Sequence, residues 1–377
     1  SWLNNSSSNN ALYTFQEAYT ILDTTSISDA FSPGINVPFN IASRHGSTFI
    51  NSASDGAAGT ANTTPTALPD LSATDFLLGN KYMGTIGKFV MWGEDIGDTG
   101  IAEATTVDYG TDFAMTVATT TAAETFTIPA QNVGTFAAGI DWGDGSISSI
   151  TAYNDADLTH TYADAGDHTI RITGSLPNIY FNNGGDKLKV KSVENLGVVG
   201  WTRLNRSFFG CANMTSFTAG STDTSAVTDM SVMIRNCTGL TSVDVSSFNT
   251  AAVTSMAYMF QNCRSLTSLD LSNFNTAAVL SMDSMFDLCG DLTSLNVSGF
   301  DTSAVTIMSD MFYECDSLTS LDVSNFNNAA VTHMDYMFYS CTGLTSLNLT
   351  GFTTPSVTIM YGMFYSCTGL TSLDVTS

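Results

Sequence analysis

The spacing of the cysteines constrains the fold of this chain more than any other feature of its sequence. Each cysteine follows the previous one by 26 residues. Leucine recurs three residues after the cysteine, phenylalanine eleven after it and methionine nineteen after it. A fixed period in the twenties indicates a solenoid, in which each repeat forms one coil of a stack. The cysteines are Cys211, Cys237, Cys263, Cys289, Cys315, Cys341 and Cys367.

One half of the repeat unit has the pattern of a short strand. Leu266, Leu269 and Leu271 follow the L-x-x-L-x-L spacing of a leucine-rich repeat. Because side chains alternate along a strand, Leu269 and Leu271 are predicted to point inward, whereas Ser268 and Asp270 point outward. One coil cannot bury its apolar face alone, so stacked coils are expected to share a continuous core.

The other half of the unit has the spacing of a helical face. Met256, Met259, Phe260 and Cys263 stand at positions i, i+3, i+4 and i+7. We therefore expect each coil to contain one strand, a loop that carries a phenylalanine such as Phe274, and about two helical turns. The solenoid would then consist of α/β coils of 26 residues.

The repeat pattern L-T-S-L-D-V-S-x-F-x-T-x-x-V-T-x-M-x-x-M-F-x-x-C resembles the BspA-like leucine-rich repeats of bacterial surface proteins. It covers roughly residues 205–377 in six to seven copies. Members of that family are mostly surface adhesins, and related repeats occur in phage proteins. The resemblance implies a C-terminal solenoid over residues 175–377, with irregular first coils that act as a cap.

The first 107 residues contain short strand patterns separated by turn signals, which predicts an antiparallel β-sandwich. An Asp-Gly hairpin is predicted at Asp55 and a helical piece at Ile101–Ala104. The order of these elements along the chain resembles the last half of a concanavalin-like (laminin-G-like) jelly roll. Phage tail and fibre proteins often carry such domains. The stretch is short for a complete sandwich, which leaves open that strands precede it. The strand patterns are Val37–Ile41, Thr48–Asn51, Phe76–Leu78 and Gly84–Trp92.

Residues 108–174 are predicted to form a second β-sandwich. The motif D-W-G-D-G-S begins at Asp141, and H-T-Y-x-x-A-G-x-H-T-I-x-I begins at His160. In this order the two motifs resemble a polycystic-kidney-disease (PKD) domain, an immunoglobulin-like sandwich that acts mainly as a spacer or binding module. Asp141 and Asp144 flank a glycine turn and leave Ca²⁺ binding open, although Asp and Gly are also ordinary turn residues. The fold class is thus mainly β and multidomain.

The charge and the cysteine count limit the partners of the chain. Its net charge of −24 predicts repulsion of nucleic acid and anionic membranes. No apolar run is long enough for a membrane span, so membrane insertion is not expected. An odd number of cysteines argues against a paired disulfide framework. We predict a column of buried free thiols, and no metal site, since C-x-x-C and Cys/His clusters do not occur.

Two repeated surfaces are candidates for ligand binding. The outward column of the strands suits cations, sugar hydroxyls or a partner, or it is simply a solvated face. A column of tyrosines that directly follow the buried phenylalanines suits sugar stacking or chain–chain contact, or it merely edges the core. The candidate residues are Asp244, Asp270, Asp322 and Asp374 in the first column, and Tyr313, Tyr339 and Tyr365 in the second.

Sequence motifs of catalysis are not found: there is no G-x-S-x-G, H-E-x-x-H, Walker loop or dinucleotide fingerprint. We therefore expect a non-enzymatic protein without catalytic residues or a cofactor. The resemblances favour a virion appendage of the tail-fibre type that attaches to host-surface glycan or protein. A bacterial cell-surface adhesin and a structural polymer subunit are the alternatives. The expected location is the virion surface or the cell exterior.

The last strand pattern, Leu370–Val375, has no following coil in this sequence. An open sheet edge and exposed apolar residues usually mark contact sites. We expect this end to be covered by a second copy of the chain, as in a homotrimer, or by another virion structural protein.

Overall fold

A computed structural model describes residues 109–373 in full and, within residues 1–108, the backbone of eight strands. The chain divides into two compact units, Ser1–Asp108 and Tyr109–Ser377. The predicted strand Gly84–Trp92 and the predicted helical piece Ile101–Ala104 lie outside the described residues.

The first unit contains antiparallel strands, as the spacing of its turn signals predicts. One sheet has the order β4-β3-β2-β1-β8 and another the order β5-β6-β7. Ser54 pairs with Ala57 across Asp55 and Gly56, in agreement with the predicted hairpin. The strands are β1 (Trp2–Asn5), β2 (Ala11–Tyr13), β3 (Ala18–Leu22), β4 (Thr25–Phe31), β5 (Ile41–Gly46), β6 (Phe49–Ser54), β7 (Ala57–Ala58) and β8 (Phe76–Leu78).

The second unit begins with a β-rich region built on strand β9. This strand is buried along most of its length because β14 and β15 pair with its two edges. Short 3₁₀ turns occur at Ala156–Leu158 and Lys187–Lys189. The strands are β9 (Phe113–Thr119), β10 (Glu124–Thr127), β11 (Ala137–Asp141), β12 (Ile147–Ile150), β13 (Thr159–Tyr162), β14 (Gly166–Ser175) and β15 (Val190–Asn195).

One seven-stranded sheet crosses from this region into the repeats, with the order β12-β11-β14-β9-β15-β16-β17. Strand β15 is antiparallel to β9 on one side and parallel to β16 on the other. The ring of Phe113 contacts that of Trp201 edge to face at 5.9 Å, so the core is also continuous. The β-rich region therefore shields the N-terminal end of the solenoid. Strands β16 (Ser216–Thr218) and β17 (Ser242–Asp244) are the first repeat strands.

The remaining repeat strands confirm the 26-residue phase. Ser268 lies directly opposite Ser294, and Leu269 opposite Leu295, in parallel register. The ladder is interrupted between β17 and β18 and again between β19 and β20. The inward leucine of β18 is buried while its serine and aspartate are exposed, as alternation predicts. These strands are β18 (Ser268–Asp270), β19 (Ser294–Asn296), β20 (Ser320–Asp322) and β21 (Ser346–Asn348).

The predicted helical turns are wrong: residues 109–373 contain no α-helix, and the coils are built of strands and turns. In the run Met256–Cys263, the Met259 N–H donates to the Met256 carbonyl at 3.2 Å, which closes a β-turn. Tyr258 and Asn262 both have φ of 60°, the left-handed conformation that the third residue of a type II turn requires.

Hydrogen bonds between coils explain why turns replace the helix. The Tyr258 N–H donates to the Asp283 carbonyl of the next coil at 2.8 Å, and the Asn262 N–H to Asp287 at 2.7 Å. An α-helix over this run would instead pair the Asn262 N–H with the Tyr258 carbonyl, and would leave the Tyr258 N–H without a partner in the run. The apolar spacing suits both conformations, since the four predicted core residues Met256, Met259, Phe260 and Cys263 are all buried.

Columns of identical side chains fill the core. Phe260, Phe286, Phe312 and Phe338 stack with ring centroids 5.4–6.0 Å apart. The cysteines are free thiols and all but Cys367 are buried, which confirms the predicted thiol column. In the repeats from Cys237 onward, each thiol lies within hydrogen-bond distance of a carbonyl in the preceding coil.

Candidate binding surfaces of the solenoid

The outward column of the repeat strands, termed the sheet face, has an evident structural role. Asp244, Asp270 and Asp322 are exposed. One carboxylate oxygen of each accepts the backbone N–H two residues later, at 3.0 Å. Hydrogen bonds from the serine two residues on lower the pKa of Asp270 and Asp322. The carboxylates thus cap the turn that follows each strand. The fourth candidate, Asp374, lies outside the described residues.

Asparagine takes the same role where it replaces aspartate in this column. The side-chain oxygens of Asn296 and Asn348 accept the N–H groups of Ser298 and Thr350, both at 3.1 Å. The Asn348 amide also donates to the Asp322 carboxylate at 3.1 Å. Asparagine at two of the five described positions therefore keeps the turn cap while it relieves repulsion between stacked carboxylates.

A shallow depression of about 430 Å³ lies along strands β19 to β21 of the sheet face. Its apolar lining consists of Leu295, Leu321 and Leu347, and Asp322 and Asn348 contribute polar groups. The depression coincides with the interruption of the ladder between β19 and β20. Of the predicted binding residues, it includes Asp322.

The predicted tyrosine column is an ordered stack, here termed the tyrosine ladder (Tyr313, Tyr339 and Tyr365). The Tyr313 and Tyr339 rings are 4.7 Å apart and 3° from parallel, and the Tyr339 and Tyr365 rings are 5.2 Å apart. Tyr313 and Tyr339 are partly exposed, and Tyr365 is 63% exposed. Tyr336 packs edge-on against Tyr339 at 5.6 Å. The ladder therefore edges the core and also presents aromatic surface to solvent, and its role in sugar stacking or chain–chain contact stays a prediction.

Carboxylates surround the ladder, on the surface formed by the Met-to-Cys runs and termed the turn face. The pKa of Asp287 is raised to about 6, mainly by burial and then by the charge of Glu314. Burial also raises the pKa of Asp310 to about 6, with further contributions from Asp287, Asp335 and Asp283. The cluster is therefore a set of mutually repelling acids beside aromatic rings.

Sequence reasoning missed this cluster, because so acidic a chain offers no basis for choosing one pair of carboxylates. The repeat register contains the signal that could have found it. Asp287 occupies in its coil the position that Tyr313 occupies in the next, and Asp310 likewise corresponds to Tyr336. Acids and tyrosines in one column of consecutive coils must be neighbours in space.

Positive charge is scarce on the turn face. The Arg235 guanidinium lies 5.3 Å from the Phe209 ring centre and 5.1 Å from that of Tyr258. Among residues 202–373 the structure forms no salt bridge, and the ion pairs of the described residues all lie between 112 and 191. The negative charge of the repeats therefore has few positive neighbours: Arg235 acts on Asp287, and Arg264 lines a shallow depression with Asp291, Glu314 and Asp316.

The aspartates of the motif that begins at Asp141 also have structural partners. Asp141 accepts the Gly143 N–H at 3.0 Å, and Asp144 accepts that of Ser146 at 2.9 Å. The other oxygen of Asp144 lies 2.7 Å from the His160 imidazole, which stacks on Trp142. Within the described residues, no cluster of three or more His, Cys, Asp or Glu side chains is arranged to hold a metal ion. Calcium binding stays a prediction.

Comparison with known proteins identifies similarity in the repeats only. The family model described as Mycoplasma protein of unknown function, DUF285, matches residues 202–295 and 289–375. No curated protein and no solved structure matches the chain. In the part of the chain that the structure describes, no helix has the length and apolarity needed to cross a membrane. DUF285 is a BspA-like repeat family, so the predicted resemblance is confirmed for the C-terminal repeats of this chain.

Proposed function

We propose that this chain is a non-enzymatic attachment protein of a virion appendage of the tail-fibre type, and that its solenoid binds glycan or protein on a host cell surface. The observation that supports the proposal best is the tyrosine ladder. Stacking of Tyr313 on Tyr339 at 4.7 Å holds partly exposed rings in place before any ligand arrives. A preorganised aromatic surface loses little conformational entropy on binding.

The experiment is a binding screen of the full chain against host-cell envelopes, glycans and envelope proteins. The double variant Tyr313→Ala/Tyr339→Ala should lose retention. The control variant Tyr153→Ala removes a tyrosine that is 37% exposed elsewhere and should bind normally. Thermal melting of all three proteins separates loss of binding from loss of folding. Equal retention of both variants would show that the ladder is not the binding surface.

Turnover is tested in the same screen. Glycans and proteins that the chain retains should be recovered intact, and mass spectrometry of the supernatant should show no cleaved product. Release of product that grows with time and with protein concentration would contradict the non-enzymatic assignment.

A bacterial cell-surface adhesin is the second candidate, and the family match favours it because the matched family is named for mycoplasma proteins. The genes that flank this one distinguish the two, since an appendage protein should lie among phage structural genes. The proposal includes assembly of the chain into a homo-oligomer such as a trimer. Light scattering of the purified chain tests this part. A monomer at all concentrations would remove that part.

A further inference from the structure

The acids beside the tyrosine ladder form no salt bridge in the part of the chain that the structure describes, although Arg264 lines a shallow depression together with Glu314. Five carboxylates occur on the turn face of three consecutive coils. Within the described repeats none is in a salt bridge, and Arg235 is the cation that influences Asp287. Like charges at this density disfavour one another unless a positive group joins them. The five are Asp283, Asp287, Asp310, Glu314 and Asp335.

Asp287 lies at the centre of this group and is incompletely bonded. Its side chain is 8% exposed, and one carboxylate oxygen accepts the Gln261 side-chain amide. The other oxygen, Oδ1, is buried and has no hydrogen-bond partner, and the same is true of the Gln261 oxygen. A buried acceptor without a donor is unfavourable, so the site is short of N–H donors as well as positive charge.

The aromatic neighbours suit the same kind of ligand. Burial raises the pKa of Tyr313, and the negative charges of Glu314 and Asp287 raise it further. These carboxylates therefore lie beside the Tyr313 ring. Tyr336 is influenced in the same way by Asp310 and Asp335. Aromatic faces next to carboxylates attract ammonium and guanidinium groups, which combine positive charge with N–H donors. Arg235, whose guanidinium lies against Tyr258, shows this type of contact within the chain.

We propose that the turn face from Asp283 to Tyr339 is the docking surface for a basic segment of a partner protein, with lysine or arginine side chains beside the carboxylates and tyrosine rings. The inference rests on the proposed function in that it identifies the chemistry of the attached partner. An extended segment fits better than a point cation, because the acids are distributed over coils that follow one another at about 4.8 Å.

The test is calorimetric titration of the full chain with decalysine and deca-arginine peptides, with decaglutamate as the negative probe. The variant Asp287→Asn/Asp310→Asn removes two charges from the turn face while the amide can still accept the Gln261 bond. Asp244→Asn/Asp270→Asn removes the same charge from the sheet face, where asparagine can cap the turn equally well. We expect about tenfold weaker peptide binding in the first variant and less than about twofold change in the second.

Proton linkage adds an independent readout. A bound cation favours the charged carboxylates, so at pH 6 binding should release protons, detectable as a heat that depends on the buffer. The charged and titratable groups beside Asp287 and Asp310 are Asp283, Glu314, Asp335, Arg235, Tyr313, Tyr336, Cys289 and Cys315, with His333 in the same coil as Asp335. Because the turn-face variant retains all of them, loss of the proton release there assigns it to the two aspartates.

The outcomes separate this inference from the attachment function. Equal weakening in both variants means attraction to net charge alone and overturns the docking surface, as does binding of neutral glycans with no binding of basic peptides. Normal attachment to cells by the turn-face variant would leave the attachment function standing and refute the inference. Loss of peptide binding in the turn-face variant alone, with no attachment of the parent chain to any cell, would support the docking surface and refute the attachment function.

Discussion

A column of buried threonines gives the sharpest prediction for stability. Thr302 is fully buried, and its hydroxyl donates to the Asn327 carbonyl at 3.1 Å while it accepts the Asn327 N–H at 2.7 Å. The same pair of bonds recurs one, two and three coils earlier, at Thr276, Thr250 and Thr224. Each threonine therefore fastens its coil to the next.

The column is interrupted at Asn328, which occupies the same position one coil after Thr302. Asn328 is 1% exposed, and neither its side-chain nitrogen nor its oxygen has a hydrogen-bond partner. The equivalent backbone N–H, that of Thr353, instead donates to the nearby Gly351 carbonyl at 2.9 Å. An unsatisfied buried amide costs stability, so this junction is weaker than those before it.

Substitutions at these two positions should change stability in opposite directions. Thr302→Val keeps the side-chain shape but removes two hydrogen bonds, each with a net value of about 0.5–1.5 kcal/mol, so the free energy of unfolding should fall by about 1–3 kcal/mol. Asn328→Thr removes the unpaired amide and offers Thr353 the missing hydroxyl, so unfolding should cost about 1–2 kcal/mol more. In melting experiments, about 1 kcal/mol corresponds to about 2–4 °C for a unit of this size.

Thr293→Val is the matched control. The Thr293 hydroxyl also donates to a carbonyl of the preceding coil, at 3.0 Å, but its side chain is exposed and water can replace the bond. Its effect should stay within about 0.5 kcal/mol. Hydrogen exchange should show faster exchange of the Asn327 amide in Thr302→Val and slower exchange of the Thr353 amide in Asn328→Thr. If Thr302→Val melts like the parent, or Asn328→Thr melts lower, the threonine account is wrong.

Three further predictions follow from burial. Met308→Asp places a charge at a fully buried position and should cost several kcal/mol, so a parental melting temperature would refute the inward assignment. Asp287 and Asp310 have pKa values of about 6 in the folded protein, above those of unfolded aspartate. Their protonated forms therefore stabilise the folded state at pH 4, and this stability is lost as the pH rises through 6. The variant Asp287→Asn/Asp310→Asn should flatten this pH dependence of the melting temperature. Burial raises the pKa of Cys289 to about 12, so thiol reagents should leave it unlabelled in the folded protein, react first at half-buried Cys367, and label every cysteine in denaturant.

The repeat sequence predicts which residues are buried more reliably than it predicts the backbone. Inward Leu269 and outward Asp270 follow from strand alternation alone. The run that contains Tyr258 and Asn262 has helical apolar spacing, and its residues are buried as that spacing requires. Its turns depend on left-handed residues and on hydrogen bonds to the next coil. Asparagine tolerates that conformation, but tyrosine gives no such signal, so local propensity could not reveal it.

Long-range pairing explains the other gaps between sequence and structure. The motifs that begin at Asp141 and His160 predict a β-rich region, but not that β15 joins it to the first repeat strand, because that pairing connects distant segments. The tyrosine ladder could be predicted from its period. The raised pKa of Asp287 could not, since it depends on burial and on neighbours contributed by other coils.

The two faces of the solenoid differ in how much sequence variation their backbone allows. On the sheet face, the column from Asp244 to Asn348 contains only Asp and Asn, because every member must accept the N–H that caps its turn. On the turn face, the corresponding column contains Arg235, Gln261, Asp287, Tyr313 and Tyr339. The N–H groups of Gln261, Asp287, Tyr313 and Tyr339 make backbone bonds of the turns, so the turn does not depend on which side chain the residue carries. A repeat protein can change its partner without changing its fold only at such positions. This is why we place the specificity of the proposed attachment on the turn face.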